Sequence, residues 1–174
     1  MSSSDARRFD WRIVFWILAI TLLIADQLIK AWARHALASD QSITVIRNVL
    51  DLTLTTNKGI AFGMFQGLGL LLAPVAIAIA VGAAMYSMRH REESPWIHIA
   101  MALLASGAIG NLYDRVFLRQ VTDMFHIRAF EFPIFNLADS CITVAAAILI
   151  VRWTIEWITH KGDSTDSEAI RRIT

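Results

Sequence analysis

Residues 68–88 read LGLLLAPVAIAIAVGAAMYSM, a run of 21 residues without a charged side chain. A helix needs about 20 apolar residues to cross the hydrocarbon core of a bilayer, so this run is long enough to span one. Pro74 and Gly82 interrupt it, but both residue types are well tolerated in membrane helices. The stretch therefore predicts a transmembrane helix.

The whole chain has the composition of a membrane protein. Of its 174 residues 56% are hydrophobic and only 18% are charged, whereas soluble domains average about 25% charged residues. Three further runs, at about 12–33, 96–113 and 135–157, are apolar enough to span. Four spans leave room for modest loops only, which disfavours a water-soluble enzyme, a disordered regulator and a large extramembrane domain. We therefore expect an all-α membrane protein with four transmembrane helices, forming one domain over residues 1–174.

The first span has two possible interpretations. Arginines precede it, and residues 36–38 resemble the cleavage site of a secretory signal peptide. However, charged residues as far as Arg34 separate the apolar run from that site, and the run is long for a signal-peptide core. We therefore expect an uncleaved membrane anchor.

Loop charges predict the orientation of the spans. If the amino terminus is cytoplasmic, the cytoplasmic segments 1–12, 89–95 and 159–174 hold eight Lys and Arg residues, whereas the longer outer loops 34–67 and 114–133 hold six. Short cytoplasmic segments are enriched in these residues, so this bias favours cytoplasmic termini. The net charge of +1 indicates no general attraction to nucleic acid.

The first outer loop contains strand-like sequence. Residues 50–55 read LDLTLT, an alternation typical of a half-buried strand. Residues 43–45 could pair with it across a turn near 47–48, which predicts a small extracytoplasmic β-hairpin. In the second outer loop, we expect a short strand around residues 125–132, ended by Pro133.

Ionisable residues inside a bilayer are costly and therefore candidates for function. Asp26 and Lys30 lie four apart on one helical face, so they could form a structural ion pair, support a nearby site or take part in chemistry. Arg152 and Glu156 have the same spacing at the inner end of the fourth span, where we expect an interfacial pair.

The third span ends in GAIGNLYDR at residues 107–115. Gly107 and Gly110 would let another helix approach closely. Asn111 and Arg115 lie four apart and would face the same way. This segment could be a polar helix end whose arginine binds lipid phosphate, or part of a binding site.

Two acids fall at the outer boundary of the membrane. Asp123 lies between apolar residues in the second outer loop, and Asp139 lies at the start of the fourth span. Asn136 is a good N-cap residue, which would put Asp139 at N3, where a carboxylate favours the helix dipole. If the two acids meet, one pKa rises, and one carboxylate can activate water while the other, protonated, polarises a carbonyl. Spacing alone does not establish that they meet.

Other chemistries fit the sequence poorly. The five histidines lack metal-ligand spacing, and the glycines of residues 59–69 match no nucleotide-binding motif. Cys141 is the one cysteine, so an intrachain disulfide is excluded, and we expect it to be a packing residue. No cofactor and no metal are expected.

Taken together, five motifs resemble the bacterial lipoprotein signal peptidase family, signal peptidase II. They occur in the family's order over almost the whole region from Asp26 to Ile142, which makes the set specific although each motif is weak. The motifs are DQLIK at 26–30, NKGIAF at 57–62, GAIGNLYDR at 107–115, VTD at 121–123 and FNLAD at 135–139. There are small departures from the family's pattern, at Ser106, Ile60 and Thr122.

The resemblance implies a four-span aspartic endopeptidase of the bacterial inner membrane that cuts prolipoproteins just before the diacylglyceryl-modified cysteine. It implies that Asp123 and Asp139 form the catalytic dyad and that Asp26 and Lys30 support the structure. It also implies that the hairpin forms a cradle over the lipid-modified substrate. Nothing in the sequence demands a partner subunit, so we expect a monomer that contacts membrane lipids. The residues that would shape the site and bind substrate are Asn57, Gly59, Asn111, Arg115 and Asn136.

Two other functional classes remain open. A small proton-coupled transporter or channel would also explain intramembrane acids, but it predicts acids near the bilayer midplane rather than at the outer ends. A structural or assembly subunit predicts that the acids can be replaced without loss of function.

Overall fold

The computed structural model describes residues 9–37, 42–59, 69–129 and 132–171, and for 160–171 it describes the backbone only. All four helices are long and apolar enough to cross a membrane. The predicted fold class is confirmed: four membrane helices and a small antiparallel sheet. In chain order the elements are α1 (Trp11–Ala36), β1 (Ser42–Ile46), β2 (Leu50–Asn57), α2 (Ala73–Arg89), α3 (Pro95–Tyr113), β3 (Val121–Ile127) and α4 (Leu137–Arg171).

The helix starts follow simple local rules. The side chain of Asp10 caps α1 by accepting a hydrogen bond from the backbone N–H of Arg12 at 3.1 Å. Pro74 and Pro95 lie in the first turns of α2 and α3, where a missing N–H costs nothing. The apolar part of α4 ends at Thr159, near the predicted end of the span, but the helix itself continues into the polar tail.

Helix α3 lies at the centre of the bundle. In its most apolar 18-residue stretch 61% is buried, whereas the corresponding share in the other three helices is 17% or less. A Cβ atom at Gly107 would lie 2.5 Å from the carbonyl oxygen of Ala138 in α4, and one at Gly110 would lie 2.7 Å from Oδ2 of Asp26 in α1. The predicted close approach at these two glycines is therefore confirmed.

The sheet has the order β1-β2-β3, with antiparallel pairing throughout. The predicted hairpin is confirmed, and Asn48 in its turn has a left-handed φ of 61°. The predicted strand at 125–132 is wrong in position, because β3 begins at Val121. Its β-branched start, Val121-Thr122, pairs with the end of β2, and residues 130–131 lie outside the described residues.

Apolar packing fixes the sheet against the outer end of α1. Met124 of β3 is fully buried against Ala33 of α1 and Leu37, the residue that follows this helix. The backbone N–H of Phe125 donates to the carbonyl of Phe135 at 2.8 Å, so β3 also lies beside the start of α4. The ends of α1, α3 and β3 and the beginning of α4 therefore meet in one place.

Candidate active site

The two predicted acids do meet at this junction. Asp123 is the third residue of β3 and is only 4% exposed, and Asp139 lies in the first turn of α4. Both line the same cavity. Because they come from different elements, their relative position depends on the side chains that connect those elements.

Asn136 holds both carboxyl groups. Its side-chain oxygen accepts from the backbone N–H of Asp139 at 2.9 Å, and Oδ2 of Asp139 accepts from the backbone N–H of Asn136 at 3.3 Å. This reciprocal pair has the geometry of a capping box, which confirms the predicted N-cap. The side-chain amide of Asn136 also donates to Oδ1 of Asp123 at 2.6 Å. One fully buried asparagine thus fixes the two acids relative to each other.

Asn111 of α3 also holds Asp139 by a hydrogen bond. Lys30 determines how the side-chain amide of Asn111 is oriented. Lys30 Nζ donates to Oδ1 of Asn111 at 3.0 Å, and Nδ2 of Asn111 donates to Oδ1 of Asp139 at 2.7 Å. An ammonium group can only donate, so the amide oxygen must face Lys30 and the NH₂ group must face the carboxylate. Lys30 therefore acts on Asp139 through Asn111.

Asp26 and Lys30 form the ion pair that their spacing predicts, with 2.9 Å between Nζ and Oδ2. The pair is not isolated. Oδ1 of Asp26 accepts from the backbone N–H of Ala138 at 2.9 Å, which joins α1 to the first turn of α4. Both side chains are almost completely buried, so the pair belongs to the interior that supports the two acids.

A cavity of about 700 Å³ opens in front of the acids. Its polar lining includes Asn57, Asn111 and Arg115 beside the two acids. Its apolar lining includes Ile127, Phe132, Pro133, Ile134, Phe135, Ile142 and Val144. A cavity lined by both kinds of residue can take a chain that presents an amide bond to the polar groups and apolar groups to the hydrophobic side chains.

The remaining predicted site residues lie at different depths. Arg115 is half-buried and donates to the carbonyl of Asn111 at 3.3 Å. Gly59 is buried, and its backbone N–H donates to Oδ1 of Asn57 at 2.8 Å, so it shapes the end of β2. Neither Gly59 nor Asn136 lines the cavity. Ile60, where the sequence departs from the family's pattern, lies outside the described residues.

Burial, followed by the charge of the nearby Asp139 carboxylate, raises the pKa of the Asp123 carboxyl to about 7. The hydrogen bond from Asn136 and the charge of Lys30 act in the opposite direction, while Asp114 raises the value. Arg115, the residue after Asp114, also interacts electrostatically with Asp139 and Asp123. The site holds more acids than cations, so a proton on Asp123 reduces the uncompensated charge.

Sequence reasoning missed Asp114. It is fully buried, and its Oδ2 lies 3.4 Å from Lys30 Nζ and accepts from the backbone N–H of Thr122 at 3.0 Å. Its position in the motif ending Asp114-Arg115 was the available signal, because an ionisable residue at the end of an apolar span needs a partner. Its partners are Lys30 of α1 and a backbone group eight residues later, and no local pattern indicates either of them.

The arrangement offers two unlike carboxyl groups at one cavity. Asp139 is partly exposed and accepts two hydrogen bonds at a helix amino terminus. Asp123 is more deeply buried, and that burial raises its pKa. Among the residues that the structure describes, no group of three or more His, Cys, Asp or Glu side chains is placed to hold a metal ion.

Comparisons with known proteins point the same way. Residues 18–155 match the sequence model of the family described as signal peptidase (SPase) II. The lipoprotein signal peptidase of Clostridium acetobutylicum is 35% identical over 155 residues, which cover 87% of this chain and 97% of the relative. That of Streptococcus pneumoniae is 34% identical over 140 residues, covering 80% and 92%.

Solved structures agree in fold. A bacterial membrane enzyme determined by the in meso method at 2.3 Å resolution superposes with a TM-score of 0.77 and 27% sequence identity. The match covers 82% of this chain and 88% of that one. A second bacterial membrane enzyme, at 1.9 Å, gives a TM-score of 0.73 at the same identity.

Proposed function

The chain belongs to the signal peptidase II family, and on that premise we propose that it is an aspartic endopeptidase that removes the signal peptide from prolipoproteins. The cut falls just before the diacylglyceryl-modified cysteine. One observation carries the proposal: Asp123 and Asp139 line one cavity, and Asn136 contacts both carboxyl groups. The family match favours a peptidase over the transporter, channel and assembly alternatives.

The two acids have different roles in this proposal. Asp139 is the general base: it lines the cavity and is held by two hydrogen bonds in the first turn of α4. Asp123 is protonated in the resting enzyme, consistent with a pKa raised to about 7 by burial. A dyad with one proton is the arrangement that aspartic proteases use to activate water.

Hydrolysis then needs no covalent intermediate. Asp139 takes a proton from a water molecule, whose oxygen attacks the carbonyl carbon while the Asp123 carboxyl donates its proton to the carbonyl oxygen. The tetrahedral intermediate collapses as the C–N bond breaks, and the proton from Asp139 passes to the leaving amine of the cysteine. Asp123 recovers its proton as the new carboxyl group forms.

The residues that line the cavity suggest how substrate binds. Asn57 and Arg115 can hydrogen-bond the peptide backbone, with Gly59 holding Asn57 in place. Phe132 and Ile134 can pack against the signal peptide or the acyl chains. Asn111 and Asn136 position the dyad behind these contacts. One chain supplies all of these groups, which supports a monomeric enzyme.

We also propose that the site faces the outer side of the bacterial inner membrane, with both termini in the cytoplasm. The loop charges favour this orientation. The sheet and the dyad lie at the same end of the bundle, formed by the two longer loops and the helix ends beside them.

The proposal is tested with the purified chain in lipid vesicles and one prolipoprotein, prepared with and without diacylglyceryl on its cysteine. Mass spectrometry of the products identifies the bond that is cut. We expect cleavage of the lipid-modified precursor only, with the modified cysteine at the new amino terminus. Cleavage at another bond, equal cleavage of the unmodified precursor, or no cleavage of either would contradict the proposal.

A further inference from the structure

Asp114 occupies an unusual position for an acid. It follows the last residue of α3, where the negative end of the helix dipole disfavours a carboxylate. It is also fully buried, which adds a desolvation cost. Its partners are Lys30 Nζ at 3.4 Å, Gln27 Nε2 at 3.3 Å and the backbone N–H of Thr122 at 3.0 Å. An acid kept where both effects oppose it indicates a specific task.

The contact with Thr122 crosses a reversal of the chain. After α3 the backbone forms a π-helical turn over Asp114–Leu118, a feature common at functional sites. Arg119 is left-handed, with φ of 60°, and the chain then enters β3. Thr122 is held again through its hydroxyl group, which accepts from Arg34 at 2.9 Å. Two hydrogen bonds therefore hold the residue directly before Asp123.

The same end of α3 holds the other acid. Asn111, one turn before Asp114, donates directly to Asp139. Resting on the function proposed above, we infer that Asp114 is a positioning residue for the reaction. It ties the backbone that carries Asp123 to the helical turn that holds Asp139, and so sets the separation of the two carboxyl groups.

The inference predicts a loss of turnover without a loss of substrate binding. Removing the Asp114 carboxylate in Asp114→Ala frees the backbone of Thr122, and misplacement of a reacting group by about 1 Å can cost on the order of 100-fold in rate. We expect kcat to fall by about that factor, with KM little changed. Asp114→Asn keeps an oxygen that can accept from Thr122, so its kcat should lie between those of wild type and Asp114→Ala.

A pH profile separates positioning from a merely structural role. Both variants remove a negative charge that faces Asp123, so the pH above which kcat/KM declines should move to lower values. The matched control is Asp51→Asn. Asp51 is a buried acid of the neighbouring strand, 1% exposed, that accepts a hydrogen bond from Arg128 at 2.9 Å. It lies opposite His126 in the sheet, whereas Thr122 lies opposite Thr56. We expect it to leave kcat and the pH profile unchanged.

The experiment measures kcat, KM and the pH profile on folded protein purified in detergent, with diacylglyceryl-modified prolipoprotein as substrate. A wild-type kcat and pH profile in Asp114→Asn and Asp114→Ala would overturn the inference, as would a raised KM with unchanged kcat. If Asp114→Ala does not fold, Asp114→Asn alone decides by the same criteria. An inactive wild type would instead contradict the proposed function, so the two failures are distinguishable.

Discussion

The two ends of the helix bundle both carry ion pairs, but the pairs differ in burial and in reach along the chain. At the dyad end, the side chains of Lys30 and Asp26 are 0% and 3% exposed. Lys30 also bonds to Asn111, which lies 81 positions away. Each charged group there contacts several elements at once.

At the other end of α1, about 27 Å away at 1.5 Å per residue, the ion pairs are more exposed and most of them are local in the sequence. The side chains of Arg12 and Asp10 are 35% and 37% exposed, and those of Arg91 and Glu92 are 67% and 60% exposed. Arg152 and Glu156 form the ion pair that their spacing predicts. The two residues of each of these pairs lie within four positions of each other, and one longer-range contact joins Arg152 to Glu93 at 3.9 Å.

The difference shows which polar groups build a site. Exposed pairs contribute about 0–1 kcal/mol, so their loss changes little. Buried charges cost several kcal/mol unless every partner is in place, so an interior that retains Lys30, Asp26 and Asp114 does so for a purpose other than stability. Positioning the dyad is that purpose in our account.

The largest expected effect is on stability in Lys30→Met. This change leaves Asp26 and Asp114 buried without their cation, and breaking a buried pair in this way costs about 3–5 kcal/mol. Thermal unfolding in detergent measures the loss. The matched control is Arg91→Met at the exposed end. Equal unfolding temperatures for the two variants would contradict the claim that the buried pair contributes more to stability than the exposed one.

The next effect concerns the close approach of α1 and α3. In Gly110→Ala the new Cβ would lie 2.7 Å from Oδ2 of Asp26, and overpacking of this kind costs about 1–3 kcal/mol. Gly82→Ala is the control, because a Cβ there meets nothing within 4 Å and removes a helix penalty of about 1 kcal/mol. If the two variants shift the unfolding temperature equally, the packing around Asp26 is not as tight as described.

A smaller effect is expected from pH. The pKa of Asp123 is raised to about 7, so its carboxyl loses the proton as pH rises through that value. Because the protonated form polarises the substrate carbonyl, kcat/KM should be highest below about pH 7 and fall about tenfold for each further pH unit. Activity that rises between pH 7 and 9 would assign the proton to another group.

The smallest effect is expected from Glu156→Ala at the exposed end. Its side chain is 50% exposed, so loss of the pair with Arg152 should cost less than about 1 kcal/mol. Cleavage of prolipoprotein should match wild type. A large loss of activity would show that this end also contributes to the reaction.

Much of this architecture could be predicted from local patterns. Apolar run lengths predict the four helices, and alternation at residues 50–55 predicts the hairpin. The Asn136-x-x-Asp139 spacing predicts the N-cap that orients one acid. In each case the prediction depends on a pattern within one short continuous stretch of sequence.

The rest depends on contacts between distant segments. That Asn136 reaches Asp123 as well as Asp139 requires β3 to lie beside α4. The start of β3 at Val121 depends on pairing with the end of β2, a distant segment of the chain. Asp114 was missed because its partners, Lys30 and the backbone of Thr122, become neighbours only after folding.

The most direct test of the central claim compares binding and cleavage in Asp139→Asn and Asp123→Asn. Both replacements keep the shape of the side chain but remove the acid. We predict that each variant folds and binds diacylglyceryl-modified prolipoprotein about as tightly as wild type, and that neither shows cleavage in a single-turnover assay. Cleavage by either folded variant at a rate close to wild type would contradict the dyad.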